Sequence, residues 1–194
     1  MKRILLPALC LLLTSALSAQ VFSLSTNFLD WANLGTVNTQ AGLSFSRHLS
    51  LHAGVRYNNW NFGSTEKGNA FQNRARTASL GLRYWPWNVY SSWWTSARVQ
   101  LEEYNRGGLL KELPTEEGTA AGLALGFGYS RMLDRHWNLD LGLGGWFGRS
   151  RFTRYRCPRC GRIVSGDDGT PLRDAKRWFL LPSNDWQISL TYIF

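Results

Sequence analysis

The stretch that decides the fold is Asp185–Phe194, DWQISLTYIF. Trp186, Ile188, Leu190, Tyr192 and Phe194 take every second place, and Gln187, Ser189 and Thr191 fall between them. Alternation with period two is the mark of a β-strand with one apolar face. Such a strand must lie against something apolar, either a core inside the protein or a bilayer outside it.

The other end of the sequence bears on that choice. Lys2 and Arg3 precede the apolar run ILLPALCLLL and the small-residue stretch TSALSAQ. A basic start, an apolar core and a small-residue cleavage region read as a secretory signal peptide. We assign residues 1–19 to it, with cleavage near Ser18 and Ala19, and residues 20–194 to a single domain. Cys10 leaves with the signal, since Leu9 before it is a poor match to a lipid-attachment site. No later stretch of about eighteen apolar residues exists, which excludes a helical membrane protein. Mean hydropathy is slightly negative, at -0.26. Membrane strands are only half apolar, so a membrane β-barrel stays open. The 10 Trp, 7 Tyr and 10 Phe suit a surface that meets a lipid interface.

Working back from the last strand, alternation recurs. Phe22 to Leu29 forms an imperfect first strand. The next row is Val37, Thr39, Ala41, Leu43 and Phe45, followed by Leu51, Ala53, Val55 and Tyr57. Ala78, Leu80, Leu82 and Tyr84 make a fourth row, and Trp93, Thr95, Ala97, Val99 and Leu101 a fifth. Two glycine-rich segments, AGLALGFGYS and WNLDLGLGGWF, supply the sixth and seventh, and the last stretch the eighth. Connections alternate in length. They are short at 46–49, 86–90 and 131–136, and long at 59–75, 105–118 and 148–177. Only the connection near 30–35 is short where the rhythm expects a long one. Short turns on one side and long loops on the other are the layout of an outer-membrane barrel. A soluble sandwich or barrel would turn its polar rows to water and fill them with Lys, Glu and Thr. Here they hold mostly Gly, Ala, Ser, Asn and Gln, which suits a confined interior. The expected fold is all-β: an eight-stranded antiparallel up-and-down transmembrane β-barrel preceded by a signal peptide. The expected location is the bacterial outer membrane, with both termini periplasmic.

Several motifs, taken together, carry a resemblance: STNFLDWANLGTVNTQAGLSF, HLSLHAGVRYNNWNF, LRYWPW, GYSRMLDRHWNLDLGLG, a CPRCG loop and TYIF. They resemble the Bacteroidota family catalogued as domain of unknown function 3575. The resemblance spans nearly all of the mature chain and implies a small Gram-negative outer-membrane barrel. It supplies no functional residues. The final aromatic resembles the carboxy-terminal signature read by the barrel-assembly machinery, an expected partner during biogenesis.

Chemistry is sparse. An enzyme needs a nucleophile or activated water with a base in reach. His48 and His136 fall in short turns, and His52 points inward near the periplasmic end. None lies at the outer rim, where a lipid A-modifying enzyme would act. We therefore expect no catalytic residues, no enzyme and no cofactor. Cys157 and Cys160 lack a second Cys or His pair for zinc. A disulfide tightening the loop is the preferred reading, with metal and redox roles as alternatives. The glycines of the sixth and seventh strands make room in the lumen. Gly142 and Gly144 are expected to face His52 and Arg56. Arg83 and Arg98 also point inward, with Glu102 and Asp140 as counter-charges, because buried charges need partners. The result expected is a plugged interior.

The chain carries +9 overall. Between 149 and 177 lie nine basic residues against Asp167, Asp168 and Asp174. Arg149, Arg151, Lys176 and Arg177 are placed at the loop's feet, where Arg pairs with lipid phosphates through parallel hydrogen bonds. A merely solvated loop is the plain alternative. The expected surroundings are therefore outer-membrane lipid and lipopolysaccharide, with an unidentified protein partner and no nucleic acid. The function expected is structural or interactive, through the loops. A narrow channel for ions or small solutes and a lipid A-modifying enzyme are the alternatives.

Overall fold

The alternating segments become strands in the computed structural model. It describes residues 22–33, 35–62, 71–107, 114–156, 161–166, 169, 171–182 and 185–194. The expected signal peptide lies outside them, as do Cys157 and Cys160. Among the described residues, nine strands and one short helix follow in chain order. They are β1 (Phe22–Asn27), α1 (Phe28–Ala32), β2 (Val37–Ser44), β3 (Leu49–Phe62), β4 (Phe71–Tyr84), β5 (Ser92–Gly107), β6 (Thr115–Met132), β7 (Trp137–Tyr155), β8 (Ala175–Leu181) and β9 (Gln187–Ile193).

Each strand from β1 to β7 pairs antiparallel with the next, β7 pairs with both β8 and β9, and β1 pairs with β9 to close the sheet into an eight-stranded barrel. Nine strands make eight staves because β8 and β9 share one. The first pairs with Trp146–Phe152 of β7, the second with Trp137–Gly142. Between the two ladders, residues 143–145 of β7 belong to neither. Pro182 has no N–H to give a ladder, which favours such a break. One paired row followed round the barrel from Gly148 returns to β7 at Asn138, a shear of ten residues. Eight strands leave an interior that side chains can fill.

Two boundaries differ from expectation. The first strand stops at Asn27, not Leu29, because the Asn27 side chain accepts from the Leu29 backbone N–H and caps α1. The connection that looked too short therefore holds a helix. On the loop side, β7 continues to Tyr155 and β8 starts at Ala175. Arg149 and Arg151 thus lie on a strand, not at the foot of a loop.

The barrel is apolar outside and polar inside. Leu80, Val99, Leu101, Leu125 and Leu143 are all outward and exposed. Ser50, His52, Arg83, Arg98, Gln100, Glu102, Asn138 and Asp140 are all buried. On the short-turn side an outward aromatic girdle forms. Phe22 meets Phe194 at 5.3 Å, Trp93 meets Tyr129 at 5.3 Å and Trp137 meets Tyr192 at 5.0 Å. Trp31, Tyr57, Trp178 and Trp186 are exposed toward the opposite side. Phe22 and Phe194 sit together on the short-turn side, where the Phe194 N–H donates to the Phe22 carbonyl.

Candidate functional site in the barrel lumen

The lumen is built by the inward half of each alternating strand, and it divides along its axis. The short-turn half is filled. The turn after β4 folds under the barrel: the Trp85 N–H donates to the His48 carbonyl and the Val89 N–H to the Arg47 carbonyl. Trp85, Tyr90, Trp94 and Ile193 then form a buried cluster across this mouth. Tyr90 takes a left-handed backbone conformation (φ 62°) to enter it. Arg83 lies over the Trp94 ring at 4.0 Å and pairs with Asp140 at 3.4 Å. Asp140 also accepts from Thr191 at 2.8 Å and from Ser130. A guanidinium this buried keeps its charge tolerably only when paired and hydrogen-bonded in this way.

The space for Trp94 comes from glycine. A Cβ on Gly142 would meet the Trp94 ring at 2.6 Å, and one on Gly128 would also strike that ring. This corrects one expectation: Gly142 faces Trp94 of β5, not His52, and Gly144 faces Asp185, not Arg56. The shear offsets opposing strands, so counting strands across the barrel misplaces the partner.

Midway up, Asp185 is held by Arg98 and by Arg56 at 3.3 Å, and Arg56 reaches Asp30 of α1 at 3.2 Å. The break in the eighth stave carries Asp185 into the lumen. Above this level, Glu102 pairs with Arg106. Glu116 holds Arg154 at 3.0 Å and Arg177 at 2.5 Å, and accepts from the Tyr104 hydroxyl at 2.9 Å. Here space remains. A cavity of about 310 Å³ runs from Glu102 and Arg106 to Leu29 and Trp186. A second, of about 360 Å³, runs from the same pair to Trp146, Phe179 and Leu181.

One constellation has catalytic geometry. Ser50 Oγ lies 2.9 Å from His52 Nε2, and His52 Nδ1 lies 2.8 Å from Gln40 Nε2. The Gln40 amide donates to Nδ1, which leaves the proton on Nε2, facing Ser50. A general base would need that nitrogen free. Ser50 is fully buried, and its Oγ also accepts the Trp85 indole N–H at 2.9 Å. No substrate carbonyl has room there, so the pair anchors the Trp85 turn. Among the described residues, no group of three or more His, Cys, Asp or Glu side chains is placed to hold a metal.

All six residues expected to form the interior network do point into the lumen: His52, Arg56, Arg83, Arg98, Glu102 and Asp140. Arg98 reaches His52 through Gln40, and the ion pairs fall at three levels. Arg83 with Asp140, Arg56 with Arg98, and Glu102 with Arg106 occupy separate levels. Sequence reading missed Asp30, Arg106 and Asp185. Parity could have found two of them, since Arg106 continues the inward row of Glu102, and Asp185 that of Gln187. Of the basic candidates, Arg149, Arg151 and Lys176 point outward. Arg177 turns into the lumen, lying over Phe152 at 4.5 Å and pairing with Glu116.

A family model described as Protein of unknown function (DUF3575) matches residues 5–194. The chain belongs to this family. No curated protein and no solved structure matches it. In this DUF3575 chain, then, the lumen chemistry must be read from its own side chains.

Proposed function

We propose that the protein is a small non-enzymatic outer-membrane barrel, closed on its periplasmic side and presenting loops to the exterior. One observation carries this reading: an aliphatic outer band lies beyond an aromatic girdle and surrounds a polar, ion-paired lumen. A water-soluble barrel has the reverse polarity, and lipid is the solvent that suits an apolar exterior. The Trp85–Tyr90–Trp94 cluster across the mouth counts against the narrow-channel alternative. Arg149, Arg151 and Lys176 support contact with lipid phosphates. Arg151 and Lys176 are directly paired across strands, and Asp174 lies 3.1 Å from Arg151. Like charges opposed in this way are destabilising until an anion joins them. With all three changed to Gln, less lipopolysaccharide should co-purify; unchanged content would leave a solvated basic face.

The test of the barrel itself is refolding into phospholipid vesicles. Leu80 is 54 % exposed, and Leu80→Arg should impair insertion by about 2–4 kcal/mol, read as loss of the heat-modifiable band. The lumen change Ser79→Asn should leave that band intact. Equal tolerance of both would refute the facing, and steady large conductance in planar bilayers would favour the channel.

A further inference from the structure

The barrel wall is low on one side. β1 stops at Asn27, α1 takes its place, and β2 starts only at Val37. Among the described residues, β8 therefore has a sheet partner on one edge only, and the outer end of β3 from Asn58 pairs only with β4. Among the described residues, the notch between these edges holds α1 and the Gly35–Thr36 turn, whose Thr36 hydroxyl accepts from Asn58. The 310 Å³ cavity meets it at Leu29 and Trp186, and the 360 Å³ cavity ends against the inner side of β8.

The second cavity is amphipathic. Trp146, Phe179 and Leu181 make an apolar wall, with Trp146 and Phe179 in edge contact at 4.5 Å. Trp146 is 2 % exposed, yet its indole N–H finds no acceptor among the described residues. A buried donor in that state is unfavourable and suits an incoming oxygen. The lumen's charge has the complementary sign. Among the ion-paired side chains of the described lumen, Arg56, Arg83, Arg98, Arg106, Arg154 and Arg177 meet Asp30, Asp140, Asp185, Glu102 and Glu116, six guanidiniums to five carboxylates.

We propose that this cavity binds a single-chain anionic amphiphile, a long-chain fatty acid, which enters from the membrane through the notch. Its carboxylate turns inward, accepts from the Trp146 N–H and offsets the surplus positive charge. Its tail runs past Phe179 and Leu181 beneath the free edge of β8. This rests on the outer-membrane reading, because the notch must open into lipid.

The test uses the full mature chain in phosphatidylcholine vesicles, titrated with spin-labelled stearic acid and read by electron paramagnetic resonance. Wild type should show a saturable immobilised component above the lipid-contact background. Ala120→Trp, which fills the cavity, should remove it. Trp146→Phe, which keeps the ring and deletes the N–H, should weaken it about tenfold. The uncharged alcohol of the same chain should compete at least about tenfold less well than stearic acid. An inserted, heat-modifiable barrel with no saturable component, or one that Trp146→Phe and Ala120→Trp both leave unchanged, overturns the proposal. Equal competition by the alcohol overturns its anionic part. A chain that never enters the vesicles overturns the outer-membrane reading and this one with it.

Discussion

The two halves of the lumen share β3 to β7 in the same alternation, yet one is packed and the other holds two cavities. In the short-turn half, inward positions carry Trp94, Arg83 and Asp140, glycines yield the room, and a turn folds in from below. In the loop half, Ala120, Ser150 and Gly118 stand beside a smaller apolar cluster around Trp146, and the charged side chains pair with one another near the rim. Along the strands they share, the halves differ in residue size and in one inturned loop; along the rest, α1 and β8 stand where β1, β2 and β9 do below.

The sharpest way to break this contrast is to delete a carboxylate from each half. Asp140→Ala leaves Arg83 buried and unpaired, and should destabilise the folded barrel by about 3–5 kcal/mol in urea titrations of vesicle-inserted protein. Glu116→Ala frees two guanidiniums that are already partly in water, so its cost should stay below about 1 kcal/mol. Comparable losses would mean that the loop half is as dry and as tightly coupled as the turn half.

Added volume should separate the halves next. Gly142→Leu drives a side chain into the Trp94 ring, and overpacking of this kind costs about 1–3 kcal/mol. Ala120→Leu adds its methylenes to the wall of the 360 Å³ cavity and should be close to neutral in the same titration. If Ala120→Leu proved the worse of the two, the loop-side cavity would not persist in the folded protein.

Most of the wall was legible from residue order. Period two in Leu80, Leu82 and Tyr84, or in Ile188, Leu190 and Tyr192, fixes which side chains point out, and the alternation of turn lengths orders the strands. Parity also sent His52, Arg83, Arg98, Glu102 and Asp140 inward. Asp185 was less visible, although it stands in the quoted stretch. Its inward direction follows from Gln187 and Ser189, but its link to Arg98 and Arg56 depends on the break at Pro182.

Sequence alone determined the alternation, the strand order, the polarity of each face and the basic character of the segment around Arg149–Arg177. These are local properties, set where neighbouring side chains must point to opposite sides of a sheet. Only the tertiary structure decided that Gly142 makes room for Trp94, that the Trp85 turn packs against the short-turn end, that Arg177 faces inward, and that α1 replaces the upper part of the first stave. Each of these depends on which residues meet across the lumen. That pairing is set by the ten-residue shear and by the bulge in the last stave, quantities that arise only when the sheet closes on itself.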